Sequence, residues 1–487
     1  MSGIRFERTA PAAPQQVVPD AGQRGVIDLA DDASAAVLGA PGSGKTTTIV
    51  ELVADRVGPV DEGGRGWSPD SLLVLASSRA AATRLRDRLA LRIGVPSNGP
   101  LARTVSSLAF ELVGAAARAS GAEPPRLVTA AEQDADIAAL LEGHLESGGG
   151  PAWPELLDPG VRRLRGFRTE LRELMARATE YDVSPPRLRE LGRATGREAW
   201  VAAADFIEEY LEVVASSRSA QLDPAELARF AIEAVRVGGG PDDRVSTLRL
   251  VIVDDLQEAT ESTLGLLRAL SDRGVAVIAF GDPDIAANAF RGGEPDALGR
   301  LSAVLGNPEL RQFVLPEVHR QPAPLRALTS AVTARIGTAA AGTQRAARAA
   351  EVEVDAREAA SEIVAPLPLA RIEATSPARE WAAVARLLRE EHLGRDVPWN
   401  QLVVIVRSGA HAPGIARALA LAEVPTRTAS GGVALRDETA ARSLLALVEV
   451  GIGRTELTAE LAAELLLSPF GGLDALALRR LRLALRA

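Results

Sequence analysis

The 487-residue chain contains no cysteine, only 3 % aromatic residues and a single lysine. The lack of cysteine excludes disulfides, thiolate metal sites and cysteine nucleophiles from this sequence. No apolar run approaches the roughly 18 residues of a membrane-spanning helix, and the Pro/Ala-rich start has no apolar signal region. We therefore expect a cytoplasmic protein without membrane association. The net charge of −9 argues against a uniformly basic surface but leaves room for a local arginine-lined groove.

The single lysine, Lys45, lies in the segment Gly39–Thr46, which fits the phosphate-binding pattern G-x-x-x-x-G-K-[ST] at every fixed position. The other 54 of the 55 basic residues are arginine. A compact ammonium fits between phosphate oxygens, where a planar guanidinium is too wide. The composition itself therefore indicates that position 45 binds phosphate.

The sequence around this loop predicts a nucleotide site. The apolar run Ala35–Leu38 leads into the loop and a helical pattern, Thr46–Val57, follows it, which is the strand–turn–helix context of phosphate binding. Backbone N–H groups of residues 42–46 are predicted to surround the β-phosphate of ATP, and Lys45 to bridge the β- and γ-phosphates. The predicted nucleotide-binding residues of the loop are Gly39, Ala40, Pro41, Gly42, Ser43, Gly44, Lys45, Thr46 and Thr47.

Two adjacent acids, Asp254 and Asp255, follow the apolar run Leu248–Val253. Such runs are typical of buried parallel strands, and carboxylates at their carboxyl ends lie where these sheets bind ligands. We expect the Thr46 hydroxyl and Asp254 to ligate Mg²⁺. We expect Asp255 to orient and deprotonate the attacking water, and Gln257 to sense the γ-phosphate.

Other segments predict an α/β fold with a parallel sheet. Leu72–Ala76 and Gly274–Phe280 are further apolar strands that alternate with helical patterns. Between them, residues 112–240 contain no convincing alternating strand and are predicted to be a helical insertion. Its arginine-dense stretch Arg162–Arg168 faces either phosphates or solvent.

A second α/β unit is predicted from residue 370. Its parts include strand Ala370–Ala374, helix Ala378–Glu391 and strand Leu402–Val406. A phosphate loop alone fits kinases, GTPases and transporters as well as motors. A second unit that supplies an arginine to the same nucleotide separates motors from these classes, and Arg320 and Arg407 are the candidates.

The ordered motifs resemble superfamily 1 DNA helicases of the UvrD/Rep/RecB type, from about residue 17 onwards. Their counterparts in this sequence are Asp20–Arg24 (glutamine motif), Gly39–Thr46 (motif I), Leu75–Ala81 (motif Ia), Arg103–Leu108 (motif Ib), Val253–Glu258 (motif II), Gly281–Gly292 (motif III), Leu315–Gln321 (motif IV) and Val404–Ser408 (second motor domain). The resemblance implies an ATP-hydrolysing DNA helicase with Mg²⁺ as cofactor.

The resemblance also implies roles for individual residues. Gln23 and Arg24 would read adenine, and His319 would stack on it. The implied catalytic set is Lys45, Asp255, Gln257 and Arg320, of which Arg320 would also bind the nucleotide. The implied DNA-binding residues are Ser78, Arg79, Ser106, Phe110, Phe290 and Arg291.

Several positions depart from the family pattern. Asp255 stands in place of the catalytic glutamate, Ile285 in place of the glutamine that links the γ-phosphate to DNA, and Asn288 in place of a base-stacking tyrosine. Ser106 replaces a histidine and His319 a tyrosine. Base–aromatic stacking contributes roughly 1–3 kcal/mol per base. The departures therefore predict a weaker hold on single strands, with the ATP-binding half kept better than the DNA-coupling half.

The predicted fold class is α/β, with a RecA-like P-loop motor domain that contains a helical insertion and precedes the start of a second RecA-like domain. The predicted boundaries are a flexible leader (1–18), the first RecA-like domain (19–111 and 241–334), the helical insertion (112–240), a poorly packed connector (335–369), the start of the second RecA-like domain (370–454) and the start of a second, truncated helical insertion (455–487).

The pattern of departures suggests the less active motor of a two-motor machine, and the chain resembles the AdnA type of subunit in AdnAB-type helicase–nucleases. These process double-strand break ends for recombination. The resemblance implies an AdnB-type partner subunit, and a DNA single strand and duplex end as ligands. Nuclease activity is expected only from a C-terminal domain absent from this sequence, since a D-E-x-K motif needs another lysine. Two functions stay open: an ATP-driven DNA motor subunit, and a nucleotide-binding clamp subunit with weak ATPase that supports its partner.

Overall fold

The computed structural model describes residues 18–94, 97, 99–217, 221–238, 244–289, 292–337, 342–350, 370–427 and 439–485. The chain divides into two compact units, the first ending at residue 363 and the second beginning at residue 364. The strands are β1 (Ala35–Gly39), β2 (Leu72–Ala76), β3 (Ala102–Thr104), β4 (Arg126–Leu127), β5 (Gln221–Leu222), β6 (Leu250–Val253), β7 (Ala276–Gly281), β8 (Arg311–Leu315), β9 (Glu317–Val318) and β10 (Arg348–Ala349).

The helices of the first unit are α1 (Ala21–Ile27), α2 (Lys45–Val57), α3 (Arg79–Ile93), α4 (Val105–Ser120), α5 (Ala130–Ser147), α6 (Pro159–Arg163), α7 (Arg165–Glu180), α8 (Pro185–Ala194), α9 (Glu198–Ser217), α10 (Pro224–Val237), α11 (Glu261–Asp272), α12 (Ala297–Leu305) and α13 (Ala323–Thr333). Those of the second unit are α14 (Pro377–Arg395), α15 (Ala412–Leu421), α16 (Thr439–Gly451), α17 (Ala459–Leu466) and α18 (Ala475–Ala484). Within the described ranges, none of these helices has the length and apolar character that a membrane span requires.

A parallel sheet of six strands, in the spatial order β3-β2-β6-β7-β1-β8, forms the centre of the first unit. Every residue of β1, β2, β6 and β7 is buried. Alternate residues point to opposite faces, so that Leu73 and Leu75 pack on one side, and Leu72 and Val74 on the other. Helices cover both faces, which explains why these strands are continuous apolar runs. The predicted α/β class is confirmed.

The sequence prediction missed strand β8. Its burial is poor, because only Leu315 of its five residues is buried, and Arg311 and Gln312 are exposed. An edge strand with one buried residue lacks the apolar run that reveals β1 or β6. Its pairing with β1 is nevertheless continuous from Ala35 to Gly39. This pairing brings the segment that follows β8 to the phosphate loop.

The segment between α4 and α10 is mostly helical and has a hydrophobic core of its own around Phe206. A short parallel pairing of β4 with β5 is its only strand structure in the described ranges. In the arginine-dense stretch, Arg163 pairs with Glu142, and Arg168 pairs with Asp134. These two cations are therefore balanced within the segment itself, which disfavours the phosphate-facing alternative for them.

Part of the predicted connector is well packed, so the prediction was wrong for residues 342–350. Thr343–Ala346 form a 3-10 turn, and β10 after it pairs in parallel with β9. Gln344 and Ala347 are buried. An Ala/Arg-rich composition does not reveal this packing, because it depends on individual polar contacts. Residues 351–369 lie outside the described ranges.

The second unit has a small core of Ala385, Ile415, Leu419 and Val424, and its described residues contain no strand. The strands predicted at 370–374 and 402–406 were therefore wrong. Of the latter, Val403 and Ile405 are 77 % and 88 % exposed, while the intervening residues are half-buried. The alternation typical of a strand is thus present, but a strand needs a neighbour for its backbone hydrogen bonds. None of the described segments of this unit supplies one.

Arg56 on α2 is a buried cation of the first unit, with 1 % of its surface exposed. Its guanidinium donates to the backbone carbonyls of Ile27 at 3.0 Å and Leu29 at 2.7 Å, at the end of α1. It also pairs with Asp55 and lies 5.7 Å from the centre of the Trp67 ring. Arg56 thus connects the segment before β1 to the helix that follows the phosphate loop.

We expect Arg56→Ala to lower the free energy of unfolding by about 3 kcal/mol, because two buried carbonyls lose a charged donor. Urea denaturation of parent and variant measures this difference. Arg92→Ala is the matched control, since Arg92 is partly exposed and its ion pair with Glu51 contributes at most about 1 kcal/mol. Equal effects of the two substitutions would contradict the role assigned to Arg56.

Candidate nucleotide-binding site

The loop between β1 and α2 forms a compact cradle of backbone. Gly42 and Gly44 have φ of 87° and 83°, which side-chain-bearing residues rarely adopt. A Cβ on Gly39 would overlap the Ser43 hydroxyl, and one on Gly42 would lie 3.2 Å from the Cβ of Arg320. The glycines are therefore required by the closeness of the backbone, and such successive N–H groups form anion-binding concavities.

Two features of the cradle fit a phosphate group. The Ser43 hydroxyl oxygen is buried, and among the described residues it has no hydrogen-bond partner. Helix α2 begins after Gly44 without any side-chain cap. A buried polar atom without a partner and an uncapped helix N-terminus are both stabilised by a bound anion.

Lys45 is 9 % exposed and points back over the loop. Its ammonium donates to the carbonyl of Gly39 at 2.6 Å and to that of Ala40 at 3.4 Å. Burial lowers the pKa of Lys45, while the carboxylates of Asp282, Asp255 and Asp254 act in the opposite direction. The ammonium thus lies between the loop and a group of acids.

Asp254 and Asp255 lie where β6 ends. Burial and the neighbouring charge of Asp255 raise the pKa of Asp254 to about 7, against the opposing charge of Lys45. Asp255 has φ of 55° and ψ of 52°, a left-handed conformation that is strained in residues with a side chain. Its carboxylate accepts a hydrogen bond from Gln257 at 3.2 Å. Backbone strain of this kind is common at active sites, where surrounding contacts maintain it.

Gln257 joins the end of β6 to the end of β7. It is buried, and its side-chain carbonyl accepts a hydrogen bond from the backbone N–H of Asp282 at 3.0 Å. A Cβ on Gly281 would lie 2.5 Å from that same carbonyl oxygen. Asp282 itself is buried, which raises the pKa of its carboxyl. The prediction did not place Asp282 in the site, although an acid at a strand end is the signal that identified Asp254.

Two of the residues predicted to contact adenine, Gln23 and His319, lie beside the loop. Asp20 and Gln23 form a reciprocal capping box at the start of α1, and the Gln23 amide donates to the Ser43 carbonyl at 3.4 Å. The backbone N–H of His319 donates to the Gly42 carbonyl at 2.9 Å, and its Nε2 lies 3.0 Å from an Asp20 carboxylate oxygen. The glutamine motif and motif IV thus meet at the phosphate loop.

The remaining predicted nucleotide residues differ in position. Arg320 is exposed beside Gly42, and its charge lowers the pKa of Lys45, so it lies at the loop. Arg24 is exposed on α1 and makes no contact with the loop among the hydrogen bonds of the described residues. The Thr47 hydroxyl accepts from Arg88 on α3 at 3.1 Å. Sequence reasoning missed Arg88, whose charge also acts on Asp254.

The predicted DNA-binding residues lie after β2 and β3. Ser78 caps α3, Arg79 and Ser106 are exposed, and Phe110 on α4 is 41 % exposed. A cavity of about 250 Å³ at this edge of the sheet is lined by Ser106, Asp255 and residues of the helical insertion. The predictions for residues 290 and 291 lie outside the described part of the chain.

The fold and this site define a P-loop ATPase: a parallel sheet, a glycine cradle with its lysine, and two acids at the end of a neighbouring strand. The family model of the UvrD/REP helicase N-terminal domain matches residues 21–303, more than half of the chain. The protein therefore belongs to the UvrD/REP helicase family, whose members are ATP-dependent DNA helicase motors. A search of curated proteins finds no match.

We expect the affinity for Mg²⁺ in the nucleotide complex to fall about tenfold for each pH unit below 7, because a protonated Asp254 carboxyl is a poor ligand. Above pH 8 the affinity should level off. Mg²⁺ titrations of nucleotide binding between pH 5.5 and 8.5 measure it. Asp254→Asn should remove the part of this pH dependence that comes from the Asp254 carboxyl. The nucleotide phosphates titrate in both proteins, so their contribution cancels when the two pH profiles are subtracted. Asp272→Asn, an exposed aspartate on α11, is the control, and identical profiles for Asp254→Asn and the parent would contradict the assignment.

Proposed function

We propose that this chain is the AdnA-type motor subunit of a heterodimeric helicase–nuclease, which uses ATP hydrolysis to move on DNA at double-strand break ends. Helicase motor activity follows from the family; the heterodimer and the role in break repair are the proposal. The observation that supports ATP hydrolysis by this chain is the intact phosphate cradle with the buried Lys45, on whose pKa the charges of Asp254 and Asp255 act. In the proposal these residues supply the groups that nucleotide hydrolysis uses.

In this proposal the N–H groups of residues 42–46 bind the β-phosphate at the start of α2. The Lys45 ammonium exchanges the Gly39 carbonyl for β- and γ-phosphate oxygens. Thr46 and Asp254 hold Mg²⁺, and their hydroxyl and carboxylate are the oxygen ligands that this ion prefers. The ion neutralises charge that develops on the phosphates.

Asp255 is the residue that orients the attacking water and accepts its proton. The Gln257 amide donates a hydrogen bond to the Asp255 carboxylate at 3.2 Å, which fixes the orientation of the carboxylate. Arg320, exposed at the rim of the cradle, adds positive charge toward the phosphates. His319 and Gln23 form the adenine side, held there by their contacts with the loop backbone.

The departures from the family pattern support assignment to the less active motor. Asp255 is one methylene shorter than the family's glutamate, so slower hydrolysis is expected. Ile285 is 42 % exposed where the family has its coupling glutamine, and Asn288 stands in place of the stacking tyrosine. An AdnB-type subunit as partner, a single strand and duplex end as DNA ligands, and a cytoplasmic location belong to the same proposal.

The same departures favour a second candidate function. A clamp subunit would bind nucleotide and DNA and hydrolyse little, while the partner translocates. Ile285 is the residue that favours the clamp function, since an aliphatic side chain cannot transmit a polar contact from the γ-phosphate to DNA. The two functions differ in what loss of nucleotide binding does to unwinding.

We expect Lys45→Ala and Asp255→Ala in the intact complex to abolish the share of single-strand-stimulated ATPase that belongs to this subunit. If the subunit is a motor, the unwinding rate falls by at least about tenfold, because an interaction specific to the transition state is lost. If it is a clamp, the rate survives, and processivity or assembly is reduced. Asp272→Asn is the control with an exposed acid. Unchanged ATPase and unwinding in both variants would remove the catalytic role.

A further inference from the structure

Gln344 is a buried polar residue outside every motif of the family. It is 1 % exposed and lies in the 3-10 turn between α13 and β10. Its amide nitrogen donates to Asp282 at 3.1 Å and to Asp284 at 3.1 Å. Both acceptors belong to the loop that follows β7. Its own amide oxygen is buried and, in the part of the chain that the structure describes, accepts no hydrogen bond.

The neighbouring Arg345 holds the same loop. Its guanidinium forms a two-point pair with Asp284, with one contact at 2.8 Å, and the Asp284 side chain is almost completely buried. Arg326 on α13 is buried and fixes the turn from the other side. It donates to the carbonyls of Arg345 and Ala347, each at 2.8 Å. The turn is therefore a rigid support, since each of its contacts involves a charged group or a buried carbonyl.

From this turn a continuous set of contacts leads to the catalytic acid. Gln344 contacts the Asp282 carboxylate, and the Asp282 N–H donates to Gln257 at 3.0 Å. Gln257 in turn donates to Asp255 at 3.2 Å. The Asp282 carboxylate is also the acid that acts most strongly on Lys45. A displacement of the turn would therefore reach the water-activating acid through these hydrogen bonds.

We propose that Gln344 and Arg345 are positioning residues for ATP hydrolysis. They orient Asp282 and Asp284 and, through them, Gln257 and Asp255. The inference rests on hydrolysis at Asp255, as proposed above. A buried amide oxygen without a partner is unfavourable. The Gln344 nitrogen donates to both carboxylates, which also accept from the Asp284 N–H and the Arg345 guanidinium, so the amide links Asp282 to Asp284.

This role makes a distinct prediction for steady-state kinetics. Neither residue contacts the cradle, so substitution should leave nucleotide affinity intact and disturb the geometry of Asp255. Misplacement of a catalytic group by about 1 Å can cost up to 100-fold in rate. We therefore expect Gln344→Met, which keeps the shape and removes the donor, to lower kcat for ATP about tenfold. The Kd for ATP should stay within about twofold.

The test uses the complete protein with DNA present. Gln344→Met and Arg345→Met should show the same split between kcat and Kd, because they support the loop independently. The matched controls are Gln312→Met, an exposed glutamine on β8, and Arg335→Met, an exposed arginine after α13. Both should match the parent. The melting temperature of each variant shows whether it is folded.

The outcomes separate this inference from the proposed function. A parent that hydrolyses ATP, together with a Gln344→Met variant of unchanged kcat, overturns the positioning role alone. A fall in kcat and ATP affinity together, or a large fall in melting temperature, assigns Gln344 to folding and also overturns it. If the parent protein shows no ATPase activity that depends on Lys45, the proposed function is overturned, and this inference is overturned with it.

Discussion

The nucleotide site depends on the balance between one buried ammonium and the carboxylates around it. Removing a charge from water costs several kcal/mol unless opposite charge and hydrogen bonds replace the water. For Lys45 the Gly39 carbonyl supplies the hydrogen bond, and Asp254, Asp255 and Asp282 supply the charge. The sheet order β6-β7-β1 brings these groups together, because the carboxyl ends of three neighbouring strands carry the acids and the cradle.

The same balance explains the composition at position 45. The chain uses arginine at all its other basic positions. At exposed positions of the described chain a guanidinium can reach solvent or a surface acid, as Arg92 and Arg163 do. Over the cradle the cation must fit between two backbone carbonyls and then between phosphate oxygens. A compact ammonium on a flexible side chain can fit in both places, whereas the donors of an arginine guanidinium are fixed in one plane.

Sequence patterns predicted those parts of the fold that depend on local regularity. Apolar runs predicted β1, β2, β6 and β7, and glycine spacing predicted the cradle. The pattern could not reveal β8, whose burial is confined to Leu315, because an edge strand needs little apolar surface. It could not reveal Arg88 or Gln344, since single polar contacts between distant segments have no periodicity. It overpredicted the strand at 402–406, because alternation alone does not supply a partner strand.

The loop after β7 is where the two candidate functions differ physically. Glu258 accepts the N–H groups of Ala287 and Asn288 at 2.8 and 2.9 Å, and Tyr181 of the insertion donates to Glu294 at 2.7 Å. That last contact raises the pKa of Tyr181 to about 12. Together with the support from Gln344, these bonds fix the loop from three directions, and each contributes about 1 kcal/mol. Ile285 cannot carry a polar signal, so the Tyr181–Glu294 hydrogen bond is a described polar link between this loop and the insertion.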